Sequence, residues 1–469
     1  MTEAVNTAGF AVRQLEYDDT HKVTGLSYLG TDGSPVDTEN RASRITAQYD
    51  GTLLLSTEAY DASGAFKSHT DYRPDGNGAT ATLTISGVNH SFTGDMLLAG
   101  GTTVLTGDKD TANITSGALG NPRVARTITV SNATLRVTGK NPFVGSGRSS
   151  TRPQAALKLY NSTLDLPPDF PFNVGDLYLH DSVVNFHYGL VTGTHWGSIT
   201  AENLYFSGTS PMTFIADADL SVANQQNVGL LLGKFAQATI DVPDITGNAD
   251  VDAFIRMPIF RATANGADPG YPSGFRKTGA GTLDLGGRDW QVGFQHSDYV
   301  GDVDVENGTL RMTSGSASFS ANHSSAFGLS GVPHTFTVHP GATLQLAASD
   351  LQGQFYSTNV ITLRVNGGTL AQSTGFVNGL GKLILENAKL TYAGYAVQTP
   401  YYAVSADGTE TNHVPVVWPT LGFNGGVEFL GANVYTLANG ADSNGNHARL
   451  FFGTLDGKPS DIFVDEISG

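Results

Sequence analysis

Short runs of alternating apolar and polar residues, broken by Asn, Asp and Gly, fill most of this chain. TITVSNATLRVTG at 127–139 sets the pattern. Ile128 and Val130, then Leu135 and Val137, fall on one face, and Asn132 stands at the turn between them. A period of two predicts half-buried strands. ALKLYNSTLDL at 156–166 has the same form, with Leu157 and Leu159, then Leu164 and Leu166, around an Asn-Ser corner. DLYLHDSVVNFHYG, ITLRVNGGTL at 361–370 and GKLILENAKLTYAG at 381–394 repeat it, and SITAENLYFSG does so loosely. Corners that need φ > 0, or a side chain bonding its own backbone, favour Gly, Asn and Asp. Stacked Asn corners are expected to form hydrogen-bonded ladders. No window shows apolar residues at helical spacing with capping, so no long helix is expected.

Three stretches carry one sentence in different letters: 82–107 (TLTISGVNHSFTGDMLLAGGTTVLTG), 281–314 (GTLDLGG, then YVGDVDVENGTLRM) and 327–346 (FGLSGVPHTFTVHPGATLQL). A strand-and-turn unit repeated on this scale predicts a β-solenoid, an all-β fold in which each rung stacks on the last. The expected organisation is an N-terminal cap over 1–50, stacked rungs over 51–395 and a closing cap over 396–469. A richer content of Ala, Gln and Pro predicts irregular rungs over 222–277, with a loop excursion near 263–275. Caps are expected because an open terminal rung would pair with another chain.

At 469 residues the chain is too long for one compact core, yet its texture hardly changes; a solenoid grows by adding rungs. Charged residues are 15%, against roughly a quarter in ordinary domains, and 57 glycines supply turns. Small hydroxyl residues cover the surface instead, as in extracellular β-proteins. The net charge of −17 argues against nucleic acid and against anionic membranes as partners. The absence of cysteine suits a chain exported unfolded. No apolar run reaches the length of a membrane-spanning helix. MTEAVNTAGF does not read as a signal peptide, so the expectation is a removed leader or release by another route, as for phage proteins.

The repeat resembles the autotransporter-associated β-strand repeat. The matching positions are Gly279, Gly281, Leu283, Leu285 and Gly287, then Tyr299 and Gly301, then Val305, Gly308, Thr309 and Leu310, with Phe92, Thr93 and Gly94 in the first copy. The chain departs from the pattern at 288–298, which is longer and more polar than the family's corner, and in the first copy, where Gly-Gly-Thr-Thr-Val replaces Gly-Thr-Leu. The resemblance implies a right-handed parallel β-helix passenger of a bacterial surface or secreted protein. It assigns no catalytic residue. The family's membrane β-barrel would lie outside this sequence.

Candidate sites come from the chain itself. Asp302, Asp304 and Glu306 alternate with Val303 and Val305, so all three face solvent, as a calcium site, as the acid face of a polysaccharide-cleaving groove, or as a solvated strand. One strand holds such carboxylates about 7 Å apart, which favours the solvated face. His180, His187 and Trp196, with Asp181, Tyr188 and His195, form a His-aromatic patch suited to sugars. His180 and Asp181 are expected on opposite faces if their strand continues. The long corner with Arg288, Asp289, Trp290, Gln295, His296 and Asp298 is the favoured contact loop, since insertions in solenoids leave the rod on one side. Tyr401, Tyr402, His413 and Trp418 are read as end packing. Nucleophile-elbow, zinc-helix and phosphate-loop motifs are missing. No cofactor is expected. The first functional expectation is a non-enzymatic extracellular stalk or adhesin-like passenger that contacts glycans, a host surface or its own copies. The alternatives are a β-helix polysaccharide lyase or hydrolase and a phage or virus fibre.

Overall fold

The computed structural model describes residues 12–19, 22–37, 43–50, 53–71, 82–86, 93–106, 118–121, 123–138, 154–166, 172–187, 197–217, 228–233, 236–257, 259–260, 273–286, 297, 299–313, 324–329, 331–348, 360–372, 377–392, 403–404, 410–411, 420–423, 426–437, 449–452 and 462–464. Among them there is no helix, so none is long and apolar enough to cross a membrane. The chain divides into two units, Met1–Gly175 and Asp176–Gly469.

The N-terminal unit opens with an antiparallel meander of Val12–Tyr17, Val23–Leu29, Arg44–Asp50, Leu53–Tyr60 and Phe66–Asp71, each strand pairing with the next. Leu53–Tyr60, placed by its alternation in the stacked region, belongs to this meander. Alternation is the same in both kinds of pairing, so only the partner strand distinguishes them. Parallel pairing begins at Thr82–Ile85, which pairs with Thr102–Leu105, then Thr134–Val137 and Thr163–Leu166. A second parallel sheet joins Met96–Ala99, Arg126–Ser131 and Ala155–Tyr160.

In the C-terminal unit one parallel sheet runs through Asp176–His180, Asn203–Ser207, Ala238–Asp241, Phe275–Thr278, Val303–Val305, Thr335–Val338, Thr362–Asn366, Lys382–Glu386, Val427–Leu430 and Ile462–Val464. The other runs through Val183–His187, Met212–Asp217, Val251–Arg256, Thr282–Leu285, Thr309–Met312, Thr343–Leu346, Thr369–Gln372, Lys389–Tyr392 and Val434–Leu437. Successive strands of the chain alternate between the two sheets. This is the arrangement of a β-solenoid. Third-side sheets occur at Gly197–Ala201, Val228–Leu232 and Ile259–Phe260, and at Val377–Leu380, Thr420–Phe423 and Arg449–Phe452.

Within 222–277, strands 238–241 and 251–256 keep register with both neighbours, with a bulge between Val251 and Ala253. Of the loop excursion expected near 263–275, residues 263–272 lie outside the described residues. Past 395, strands 427–430, 434–437 and 462–464 still add to the parallel sheets, so stacking extends into the expected cap.

The repeated Gly-Thr-Leu step is one column of the stack. Leu283, Leu310, Leu344 and Leu370 lie in register, all without solvent exposure. Burying each contributes on the order of 2 kcal/mol. In the N-terminal unit Ile128, Val130, Leu135, Leu157, Leu159 and Leu164 are likewise fully buried. The corners follow from backbone sterics: Asn132, Asn161, Asp181 and Asn387 have φ of 49°, 47°, 46° and 49°. A left-handed residue with a short polar side chain turns the chain there. The Nδ2 of Asn161 donates to Asn132 Oδ1 at 3.4 Å, a step of the expected Asn ladder.

Candidate functional site

The acidic strand is the candidate whose geometry is best defined. Val303–Val305 lies between Phe275–Thr278 and Thr335–Val338, with Arg276, Asp304 and Thr337 in register. Val303 and Val305 are fully buried, so the pleat turns Asp302, Asp304 and Glu306 outward. Neighbouring rungs engage each carboxylate. The Thr335 amide donates to Asp302 Oδ1 at 2.8 Å. His339 Nε2 lies 2.9 Å from Asp304 Oδ1, and Gln237 Nε2 donates to Asp304 Oδ2 at 2.8 Å. Arg276 Nη1 lies 3.5 Å from Glu306. The carboxylates bind sideways along the sheet rather than converging on a point. Among the described residues no group of three acidic or His side chains could hold a metal ion, so the calcium arrangement of Asp302, Asp304 and Glu306 does not form.

His180 and Asp181 are not on opposite faces. The strand ends at His180, and Asp181 takes the left-handed corner conformation, bringing its carboxylate within 3.6 Å of His180 Nε2. That carboxylate accepts the Thr209 and Ser210 amides at 2.7 and 2.8 Å. Those hydrogen bonds hold it below the usual carboxylate range despite the opposing effect of burial. His180 Nδ1 contacts Ser207 Oγ at 3.1 Å. The pair ties one corner to the next rung. His187 ends Val183–His187, its backbone in register with Asp217. Trp196, with Tyr188 and His195, lies outside the described residues, as do Arg288, Asp289, Trp290, Gln295, His296, Asp298, Tyr401, Tyr402, His413 and Trp418.

Three buried features escaped the sequence reading. Lys277 has no solvent exposure, and its Nζ donates to the carbonyls of Gly279, Gly281 and Asn307 at 2.6, 2.5 and 2.9 Å. Burial lowers its pKa from 10.5 to about 8, against the opposing pull of Asp241 and Asp252. Gly308 is required beside it, since a Cβ there would collide with the Gly281 carbonyl and with Nζ. Asp252, also unexposed, accepts the Ile245, Thr246 and Thr282 amides. Tyr299 is fully buried among Phe275, His334 and Phe336, donates to the Ala326 carbonyl at 2.8 Å, and is held well above the ordinary tyrosine pKa by burial. His334 Nδ1 and Nε2 lie 2.8 and 2.6 Å from the carbonyl oxygens of Val332 and Phe327. Parity was the available signal for Lys277: in FRKT it shares the inward face with Phe275.

The meander carries a cleft of about 580 Å³ lined by Ser27, Ser43, Arg44, Thr46, Tyr60 and Ser63 among others. Arg44 is paired there with Glu16 at 3.1 Å.

No protein-family model matches the chain, and neither a curated protein nor a solved structure matches it.

Proposed function

We propose that this chain is a passenger-type β-helix of a bacterial surface or secreted protein, a non-enzymatic rod that presents its outer faces to glycans or cell surfaces. The autotransporter-like repeat and the sparsely charged, hydroxyl-rich composition support it. On this reading the rungs wind right-handed, the hand that connections between parallel strands adopt almost without exception. The meander shields the first rung, and the terminal segment shields the last. The observation that carries the non-enzymatic reading is the engagement of Asp302, Asp304 and Glu306 by Thr335, His339, Gln237 and Arg276 on neighbouring rungs. On this reading the tied carboxylates serve cohesion along the stack. The test incubates the purified chain with an array of immobilised polysaccharides and with intact cells, reading retention and released sugar ends in parallel. Retention without cleavage is expected; sustained release of fragments would overturn the reading.

A polysaccharide lyase or hydrolase is the second reading. It is favoured by the same face, which holds Asp304, Glu306, Arg276 and His339 on adjacent rungs. Cleavage abolished by Asp304→Asn, with thermal stability kept, would establish it.

A further inference from the structure

The outward side of the other sheet holds a charge cluster of a different kind. Asp284 lies on Thr282–Leu285, and its side chain is only 2% exposed. Its Oδ1 accepts from Arg256 Nη1 at 3.0 Å and from Thr313 Oγ1 at 2.5 Å. Arg256 Nη1 also donates to Thr313 Oγ1 at 3.2 Å, and its guanidinium lies 4.7 Å from the Phe254 ring centre. Arg311 stands in register with Asp284 on the next strand, but its Nε remains 3.8 Å from Asp284 Oδ2. That separation is too long for a hydrogen bond, and this Nε is buried with no hydrogen-bond partner. Among the described residues these two guanidiniums share one carboxylate, leaving one positive charge. Other arginines of similar exposure meet a carboxylate at hydrogen-bond distance: Arg136 has Asp165 at 2.8 Å, and Arg364 has Glu386 at 2.6 Å.

Arg256 and Arg311 side chains are 39% and 38% exposed. Because Arg311 Nε is shielded, the exposure of that side chain belongs to the rest of it. A planar guanidinium presents paired donors that match a carboxylate. One excess positive charge engages one carboxylate at a time, and each sugar of a polyuronate carries a single carboxyl group. Thr309, half-buried and two residues before Arg311 on the same strand, supplies a hydroxyl-bearing side chain beside the cluster.

We propose that Arg311, backed by Arg256 across Asp284, binds the carboxylate of a uronic-acid residue in an acidic polysaccharide. The proposal rests on the glycan-contacting reading above and adds the chemical class of its ligand. It is tested by equilibrium binding of the full chain to polygalacturonate and to the same polymer fully methyl-esterified, which keeps the sugars and removes the charge. Polygalacturonate should bind at least about tenfold more tightly, equivalent to 1.4 kcal/mol. Arg311→Gln should reduce it to the level of the ester. Arg136→Gln, which removes the same charge elsewhere, should leave it unchanged. Asp284 keeps Arg256 and Thr313 in Arg311→Gln, so an unshifted thermal midpoint should accompany the loss. Equal losses in Arg311→Gln and Arg136→Gln, or equal binding of both polymers, would overturn the site. Binding of both polymers that survives Arg311→Gln would overturn the site and leave the glycan reading standing. Failure to bind any polysaccharide or cell would remove both.

Discussion

The antiparallel meander and the parallel stack of the C-terminal unit are built from similar strands, yet they keep their apolar residues very differently. In the meander Leu15 faces Leu26, and both remain half-buried, while Val12 and Tyr17 are 39% and 57% exposed. In the stack Leu283, Leu310, Leu344 and Leu370 form an unbroken column with no exposure. Hydrogen-bond ladders are present in both; what separates them is a core. A strand in the stack has a rung above and below and a second sheet opposite, so its inward residues lose all contact with water. The difference teaches that in this chain pairing sets the geometry and column burial sets the stability.

The comparison can be broken most directly by truncating one leucine in each region. Leu310→Ala should cost about 2–5 kcal/mol, and Leu26→Ala about 1 kcal/mol, since its site is already partly hydrated. Denaturant unfolding of the two variants measures the contrast. Amide exchange in the parent should follow it, with Thr309–Met312 protected longer than Val23–Leu29. Equal costs would mean that the column is not the source of the stack's stability.

Lys277 sharpens the same contrast through pH. Its native pKa, near 8, lies below its unfolded value near 10.5. Between those values the unfolded chain holds a proton that the native chain has released, so stability rises with pH across that window. The full span corresponds to on the order of 3 kcal/mol. Tyr299 acts oppositely: native burial raises its pKa, so ionisation of the unfolded tyrosine lowers stability above about pH 10. Urea midpoints should therefore climb from pH 8 toward 10 and then turn down. In Lys277→Met the climb should vanish, and at pH 7 three carbonyls should lose their donor at a cost of about 1–3 kcal/mol. A climb that persists in the variant would assign it to another group.

The smallest effect concerns the corners. Asn132→Ala should cost about 1 kcal/mol, because φ of 49° is unfavourable for a residue with Cβ and no local hydrogen bond. Asn132→Gly should be close to neutral. Thermal midpoints of the two variants distinguish backbone strain from loss of the Asn161 contact, which both substitutions remove.

Parity and punctuation were legible in the sequence. The inward places of Ile128, Val130, Leu135 and Leu164, and the corners at Asn132, Asn161, Asp181 and Asn387, follow from alternation and turn chemistry alone. Partnership was not. Leu53–Tyr60 alternates like any rung, and only its register with Arg44–Asp50 makes it part of a meander. The third-side strand Gly197–Ala201 gives no local sign of which sheet it joins. At the candidate sites the outward parity of Asp302, Asp304 and Glu306 could be read, but not their neighbours, because His339 and Gln237 arrive from distant parts of the chain. The opposite faces of His180 and Asp181 were expected only if their strand continued; it ends at His180, and a single residue reverses a side chain's direction. Asp284, Arg256 and Arg311 were invisible as a cluster for the same reason as the meander: register across strands is written in no one segment.

The three hydrogen bonds made by Lys277 carry a consequence for synthesis. Two of its acceptors, Gly279 and Gly281, lie within its own corner, but the third, Asn307, is supplied only when the following rung docks. Until that segment arrives, water stands in for the third acceptor, and docking of the next rung exchanges it for the Asn307 carbonyl. Completion of one layer waits on its successor, which gives assembly a direction and makes an interruption after residue 300 more damaging than the lost surface alone would suggest.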